Sequence, residues 1–329
     1  MDTKNEILRI LRLSGGSVSG QELSGRIGIS RTAVWKHIRA LQEEGYEIEA
    51  VNRKGYCLVG VPDTIASGEV GSWLDTERMG REIRYFASID STNQYAKRIA
   101  ENEEAKDGTL VIADEQTAGK GRSGRHWVTP PKEAIACSLL LRPRLAPELI
   151  SMVTLVMGLA VARAVNSLYE IHAGIKWPND IVVKGKKLCG ILTEMSAEIG
   201  EVHYIVIGFG INANLTWFPE EIRLVATSLK LETGHEVNRA QLIAGVMEEF
   251  ERLYGLFEED GSLKRLQDDY NALSVNRNQP VRVLDPKGEY TGCSRGIDEE
   301  GALIVETQNG EIHRVVSGEV SVRGIYGYV

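Results

Sequence analysis

Residues 114–130, DEQTAGKGRSGRHWVTP, constrain this chain more than any other part of the sequence. They combine three glycines with four basic side chains: Gly119, Gly121, Gly124, Lys120, Arg122, Arg125 and His126. Glycine lets a backbone come close to a ligand, and successive N–H groups in such a turn form a concavity that binds anions. Lysine and arginine add charge-assisted hydrogen bonds to phosphate or carboxylate. The stretch therefore predicts a loop that binds a phosphorylated ligand.

The glycine spacing also matches G-x-G-x-x-G, the motif of dinucleotide-binding folds. That motif requires a strand before it and a helix directly after it. We predict a strand at residues 109–115, but the chain then reaches Pro130 and Pro131, which cannot open a helix there. We therefore reject a dinucleotide-binding fold. Taken alone, the loop could also be an exposed turn without chemistry.

Composition favours a globular protein of several domains. The 329 residues allow two or three domains, and a hydrophobic content of 43% is enough for a core. The four cysteines are too widely spaced for a disulfide framework or a metal site, and they indicate reduced thiols in the cytoplasm: Cys57, Cys137, Cys189 and Cys293. The charged start is unlike a signal peptide, and the longest apolar run, residues 149–162, is shorter than the ~20 residues that span a membrane. We expect no membrane association.

Residues 1–62 have the pattern of a winged helix-turn-helix domain. A helical apolar pattern at residues 7–13 is followed by a capping box, Ser19 with Glu22, which starts a short helix. Gly28 provides the turn to a second helix, predicted for residues 30–41. Two short strands around residues 52–55 would form the wing.

The charge of this first domain favours a polyanionic partner. Residues 1–60 carry nine Lys/Arg against seven Asp/Glu, whereas the whole chain has a net charge of −8. We predict DNA contacts from the second helix and the wing: Ser30, Arg31, Thr32, Trp35, Lys36, Arg39, Arg53 and Lys54. A unit this small confers little specificity, so we expect a dimer on a palindromic site. A helical docking domain that does not bind DNA is the alternative.

Residues 63–275 alternate strands and helices, which predicts a central α/β domain. A segment rich in small residues, 61–72, predicts the linker before it. Polar residues cluster at positions 88–94, which suits a polar head group such as a ureido or amide, although a single such residue would only cap a helix. Further strands are predicted to end at the motif KWPND of residues 176–180 and before the glycine-rich loop of residues 208–214. Helices are predicted at residues 147–168, 218–229, 239–257 and 263–273, and the one at 218–229 is expected to be short and broken.

The last part of the chain, residues 276–329, has five short strand patterns separated by glycines at positions 288, 301, 310 and 318. This spacing predicts a small antiparallel barrel of the SH3-like kind.

Four motifs, in this order, resemble those of the biotin protein ligases of the repressor type. They are GKGRSGRHW at residues 119–127, KWPND at 176–180, KLCGIL at 187–192 and GFGIN at 208–212. The resemblance covers nearly the whole chain and implies an α/β (α+β) protein of three parts. These are a winged helix-turn-helix domain (1–62), a mixed-sheet ligase domain (63–275) and an SH3-like barrel (276–329).

The resemblance also implies a reaction. Biotin and ATP, with Mg²⁺, give biotinyl-5'-AMP and pyrophosphate. A lysine of a biotin carboxyl carrier protein then takes the biotin; acetyl-CoA carboxylase would supply this carrier, and pyruvate carboxylase is a second candidate. The adenylate would promote a homodimer that binds operator DNA and represses biotin genes.

Site residues follow from the resemblance by position. Biotin would contact Ser91, Thr92, Asn93, Gln116, Lys120, Gly121, Arg122 and Lys187. The nucleotide would contact Trp127, Lys176, Asn179, Asn212, Glu319 and Arg323, and Mg²⁺ would be held near Asp180 and Asn212. The catalytic residues would be Lys187, Arg122 and Lys120, because cations must offset the repulsion between a carboxylate and a triphosphate before an oxygen attacks phosphorus.

The sequence departs from the family's motif at one loop, and two alternative functions remain open. The family's usual loop reads GRGRRG, whereas Lys120 and Ser123 here replace two arginines, which keeps one charge but loses a bidentate guanidinium. A lipoate or octanoate ligase shares the central fold, but it lacks the winged helix and the polar cluster for a ureido ring. A biotin-sensing repressor without catalysis is opposed by the presence of Lys187, Asp180 and Arg122.

Overall fold

The computed structural model describes residues 3–102, 104–198, 201–285, 288–316 and 321–324, with the backbone alone for Ser123 and for residues 321–324. The winged helix-turn-helix prediction is confirmed. Its elements are α1 (Thr3–Ser14), α2 (Gly20–Ile27), α3 (Arg31–Glu43), β1 (Glu47–Val51) and β2 (Gly55–Gly60). The Ser19 hydroxyl accepts a hydrogen bond from the Glu22 N–H, and Gly28 ends α2 in the left-handed conformation with φ 78°. Helix α3 ends two residues later than predicted.

The segment predicted as a linker contains a helix that the sequence did not indicate, α4 (Ser67–Trp73). Its small residues allow close packing rather than disorder, because Gly68 and Gly71 lie against the Asn5 side chain of α1. Buried Glu69 joins this helix to the first domain. It forms an ion pair with Arg12 at 2.8 Å and accepts hydrogen bonds from the Tyr46 hydroxyl and the Trp73 indole.

The centre of the molecule is a seven-stranded mixed sheet. Its strands are β3 (Ile83–Phe86), β4 (Thr109–Ala113), β5 (Ala134–Leu141), β6 (Ala173–Lys176), β7 (Asp180–Val183), β8 (Lys186–Glu198) and β9 (Glu201–Asn212). They lie in the order β3-β4-β5-β9-β8-β7-β6. Only β3 and β4 run parallel, since the other pairs are antiparallel. The GFGIN motif, predicted as a loop, belongs to β9 because both of its edges are paired there, with β5 and β8.

Besides α4, the described residues of this part form α5 (Thr92–Glu101), α6 (Ile150–Tyr169), α7 (Leu229–Thr233), α8 (Arg239–Asp260) and α9 (Gln267–Leu273). Residues 147–169 are long and apolar enough to cross a membrane, but 78% of the most apolar window is buried inside the protein, as expected for a core helix. Among the described residues this is the one such helix.

In place of the short, broken helix predicted at residues 218–229, the structure has turns. Residues 220–225 form turns, and α7 begins only at Leu229. The segment forms turn hydrogen bonds within itself, such as that from the Ala226 N–H to the Ile222 carbonyl at 2.8 Å. It also bonds to a neighbouring strand, because the Lys187 N–H donates to the Val225 carbonyl at 2.7 Å and the Thr227 N–H donates to the Lys187 carbonyl at 2.9 Å. A tertiary contact therefore overrides the local helical pattern.

The C-terminal part is a five-stranded antiparallel sheet, as predicted. It contains β10 (Pro280–Leu284), β11 (Tyr290–Ile297), β12 (Leu303–Glu306), β13 (Ile312–Val315) and β14 (Ser321–Gly324), in the order β13-β12-β11-β10-β14. It contacts the central domain through buried Trp177, whose indole N–H donates to the Gly301 carbonyl at 3.2 Å.

Candidate active site

Two adjoining cavities lie where β4 ends, α5 begins and β8 passes β9. The first, of about 50 Å³, has several polar side chains in its lining, and seven of the eight residues predicted to bind biotin line it: Ser91, Thr92, Asn93, Gln116, Lys120, Gly121 and Lys187. The second, of about 290 Å³, is mostly apolar and is lined by Arg122 and by the predicted nucleotide residues Trp127 and Asn212. We call them the polar cavity and the apolar cavity. Three residues line both: Gly121, Trp127 and Lys187.

A hydrogen-bond network lies behind the polar cavity. The Gln116 side-chain oxygen accepts from the backbone N–H of Thr92 at 2.9 Å and lies 3.1 Å from its hydroxyl. The Ser138 hydroxyl lies 2.7 Å from the Thr92 hydroxyl and 2.5 Å from the Asn93 side-chain oxygen. Buried polar groups placed this way have fixed orientations, which suits recognition of a polar head group.

Ser138 was not among the predicted site residues. It is fully buried in β5, where the neighbouring residues are alanine, cysteine and leucine. The available signal was a lone hydroxyl in a strand otherwise made of apolar residues, since a buried hydroxyl requires a partner.

Lys187 lies at the boundary of the two cavities. Its ammonium group pairs with the Asp180 carboxylate at 2.7 Å and stands 5.7 Å from the centre of the Trp127 ring. Gly190 and Gly210 face each other across β8 and β9, and the indole lies over both. A Cβ on Gly210 would overlap this ring, so the two glycines make room for Trp127 against the sheet.

Arg122 projects from a short 3₁₀ turn, Arg122–Gly124, in the glycine-rich loop. Its guanidinium donates to the Asn179 side-chain oxygen at 3.0 Å, while the Asn179 amide donates to the Ile191 carbonyl. Burial lowers the pKa of Arg122, and the nearby Asp180 carboxylate opposes that shift. The loop and the KWPND turn are thus held together beside the cavities.

The other predicted nucleotide residues have different positions. Asn212 is buried and donates to the Thr227 carbonyl at 2.9 Å. Lys176 is buried in β6 and lines neither cavity. Arg323 lies in β14, where its backbone is opposite Arg282, and Glu319 lies outside the described residues. Apolar residues that sequence reasoning missed, including Trp217, Phe218 and Ile222, line the apolar cavity.

The predicted DNA-binding residues are exposed at two places of the first domain, along α3 and at the tip of the wing. Ser30 caps α3 by accepting from the Ala33 N–H, and Arg31, Thr32, Trp35, Lys36 and Arg39 are exposed along that helix. The Arg39 guanidinium lies 5.4 Å from the centre of the Trp35 ring. Arg53 and Lys54 are exposed at the tip of the wing between β1 and β2. This arrangement presents cations and an aromatic ring together.

Known proteins match each part of the chain. Residues 85–212 match the Biotin/lipoate A/B protein ligase family, residues 3–57 an HTH domain and residues 278–323 the Biotin protein ligase C terminal domain. The predicted domain limits lie outside these matches and stay predictions.

Curated relatives extend the similarity over the whole chain. The bifunctional ligase/repressor BirA of Bacillus spizizenii is 40% identical over 324 residues, which are 97% of this chain and 98% of that protein. The Escherichia coli protein of the same name is 34% identical over 95% of each chain. A solved structure, the biotin protein ligase from Aquifex aeolicus in complex with biotin and ATP, aligns with a TM-score of 0.66 at 31% identity, covering 74% of this chain and 99% of that one. The chain therefore belongs to the biotin protein ligases and, by its helix-turn-helix domain, to the bifunctional ligase/repressors among them.

Proposed function

We propose that the two cavities divide the substrates of the ligation, with the biotin head group in the polar cavity and the adenine of ATP in the apolar cavity. The main support is that Lys187 lines both cavities. A carboxylate held in one cavity and an α-phosphate held next to the other would meet at this ammonium group. The apolar lining, with Trp127 and Trp217, suits an aromatic base.

The chemistry requires cations at that meeting point. A biotin carboxylate oxygen attacks the α-phosphorus of ATP, pyrophosphate leaves, and the mixed anhydride biotinyl-5'-AMP forms. Lys187 reduces the repulsion between the two anions, and Lys120 and Arg122 add positive charge from the glycine-rich loop. A carrier lysine amine then attacks the acyl carbon, and AMP leaves. The loop shields the anhydride from water until the carrier arrives.

Mg²⁺ fits the available donors. No group of three or more His, Cys, Asp or Glu side chains that could hold a metal ion occurs among the described residues. Mg²⁺ needs none, because it binds through one or two carboxylates together with substrate phosphates and water. Asp180, beside Lys187, would supply the carboxylate, and Asn212 an amide oxygen. The ion would offset charge on the phosphates.

The partners follow from this reaction. We propose the biotin carboxyl carrier protein of acetyl-CoA carboxylase as acceptor, with the carrier domain of pyruvate carboxylase as a second acceptor. A Mycobacterium tuberculosis relative named biotin–[acetyl-CoA-carboxylase] ligase, 32% identical over 73% of this chain, supports the first. Operator DNA would bind to α3 and the wing. All of these partners place the activity in the cytoplasm.

We propose that the repressing form is a homodimer paired through β8. Strand β7 covers β8 only over residues 186–190, and among the described residues no strand pairs with the same edge of residues 192–198. Met195 on that segment is half exposed. An unpaired strand edge is a template for a second copy. Sedimentation with and without biotinyl-AMP, on the natural chain and on Thr193→Pro, tests this, since proline would weaken an edge pairing.

The ligation is tested by pyrophosphate release with biotin and Mg-ATP, followed by transfer of labelled biotin to a carrier domain. We expect both. Release without transfer would mean that the carrier is wrong. No release with biotin, together with a thermal shift by lipoate alone, would contradict the assignment of the polar cavity.

A further inference from the structure

Glu194, on β8, does not line the polar cavity, but it is hydrogen-bonded to Asn93, which does. Its carboxylate accepts a hydrogen bond from the Asn93 amide nitrogen at 2.8 Å and another from the Lys97 ammonium group at 2.8 Å. Asn93 lines the cavity, whereas Glu194 does not. Burial alone raises the pKa of Glu194, but the hydrogen bonds from Lys97 and Asn93 bring it below its ordinary value, so the group is ionised near neutral pH.

These contacts fix which way the Asn93 amide points. An ionised carboxylate only accepts hydrogen bonds, so the atom 2.8 Å from it must be the nitrogen of the amide. The same nitrogen lies 3.4 Å from the Leu192 carbonyl, a second acceptor. On the other side, the 2.5 Å contact with the Ser138 hydroxyl has the length of an O–H···O bond rather than that of an N–H···O bond. The Asn93 oxygen therefore points away from Glu194.

The orientation decides what the cavity can recognise. A carbonyl oxygen accepts two hydrogen bonds, so Asn93 keeps one acceptor position after bonding to Ser138. This oxygen lies against Gly208, which also lines the cavity. Because Gly208 has no side chain, the Asn93 oxygen stays uncovered; a Cβ on residue 208 would overlap the Asn93 amide. A cyclic urea carries N–H donors that need such an acceptor. A flipped amide would instead offer an N–H group, which such a donor cannot use.

We infer that Glu194 is a positioning residue for biotin, which holds the Asn93 carbonyl oxygen ready to accept a ureido N–H. The inference rests on the proposed placement of biotin in the polar cavity. Glu194 lies outside the cavity, yet it would help the site select a cyclic urea over ligands without N–H donors, such as a dithiolane or an alkyl chain.

A double-mutant cycle tests this. Glu194→Met keeps the volume of the side chain but removes the acceptor, and we expect the KM for biotin in pyrophosphate release to rise about tenfold, the effect of one lost hydrogen bond. The KM for ATP and the kcat should stay within about twofold. In the Asn93→Ala background, Glu194→Met should change nothing further. Glu198→Ala, an exposed acid on the same strand, is the matched control and should behave as the natural chain.

Three further variants separate positioning from a purely structural role. Lys97→Met removes the ion pair but leaves the acceptor, and the KM for biotin should change less than about threefold. Asn93→Asp places two carboxylates together and should weaken the binding of biotin. Adding Glu194→Gln to this variant should restore much of the lost biotin affinity, because the Gln amide can donate to the new carboxylate. This pair keeps the test valid should Glu194→Met not fold.

The outcomes are distinct. Additive effects in the cycle, or no rescue in the Asn93→Asp, Glu194→Gln pair, would overturn the inference while leaving the proposed function standing. A natural chain that releases no pyrophosphate with biotin would overturn the proposed function itself. Loss of biotin affinity in Asn93→Ala, non-additivity and rescue together would establish the positioning role.

Discussion

At the scale of single residues, the position of Lys187 is fixed by contacts of both its backbone and its side chain. Its backbone N–H and carbonyl are bonded to Val225 and Thr227, and its ammonium group pairs with Asp180 at 2.7 Å. A long flexible side chain is held where the two cavities meet, so its charge needs little reorganisation when substrates bind. The KLCGIL motif indicated the residue, but not the partners that hold it.

We predict that Lys187→Ala lowers the rate of biotinyl-AMP synthesis at least about 100-fold, because it removes the positive group between two anions. Pyrophosphate release measures this. The matched control is Lys186→Ala, an exposed neighbour on the same strand, which should keep nearly full activity. Near-normal synthesis in Lys187→Ala would refute the assigned role.

At the scale of elements, the crossing of β8 and β9 determines the shape of the site. Paired glycines, Gly190 and Gly210, let the Trp127 ring rest on the sheet between the cavities. The glycine-rich loop and the two strands therefore form one unit, although they are distant in sequence. The sequence indicated Gly210 only as part of a predicted glycine-rich loop at residues 208–214.

We predict that Gly210→Ala raises the KM for ATP about tenfold, because the new methyl group would displace the indole at a cost of roughly 1–3 kcal/mol. Steady-state kinetics with ATP varied at saturating biotin measure this. Gly255→Ala, on α8, is the control, since nothing lies within 4 Å of the added Cβ and alanine favours a helix. An unchanged KM for ATP in Gly210→Ala would mean that Trp127 does not shape the nucleotide site.

At the scale of the whole molecule, a buried cluster holds the DNA-binding domain to the ligase domain. Glu69 of α4 has a side chain that is 2% exposed and bonds to Arg12, Tyr46 and Trp73. Burial and the Glu69 carboxylate raise the pKa of Tyr46. Arg12 also lies 4.0 Å from the centre of the Trp73 ring. The orientation of the two domains is therefore set by specific bonds rather than by a loose connection.

We predict that Glu69→Ala lowers the free energy of unfolding by about 3–5 kcal/mol, because it leaves Arg12, whose side chain is only 10% exposed, without its carboxylate partner. Denaturant unfolding measures the loss. Glu49→Ala, an exposed acid in β1, should change stability by no more than about 0.5 kcal/mol. Equal effects of the two changes would show that the cluster contributes no specific stability.

We also predict that deletion of residues 1–60 abolishes operator binding and reduces ligase activity without abolishing it. The ligase cavities consist of residues from 91 onward, but the deletion removes Arg12 and Tyr46 from Glu69. Electrophoretic mobility shift and pyrophosphate release measure the two activities. A ligase without any activity would mean that the domains depend on each other more tightly than this cluster indicates.

The sequence by itself determined the three-part organisation, the family and seven of the residues that line the polar cavity. This was possible because glycines, cations and short polar side chains stand at fixed spacings in motifs that need no knowledge of distant contacts. The capping box and the glycine turn likewise predicted α2 and α3, since caps act within one turn of the chain.

Only the tertiary structure decided the features that depend on distant partners. Helix α4 forms within the predicted linker, where Glu69 bonds to Arg12 and Tyr46 of the first domain. Residues 218–229 form turns rather than a helix, and Val225 and Thr227 bond to the Lys187 backbone. Ser138 and Glu194 entered the site because β5 and β8 bring them to Asn93. Local patterns carry no record of such contacts, since the free energy that fixes them arises when strands distant in sequence pair and exclude water.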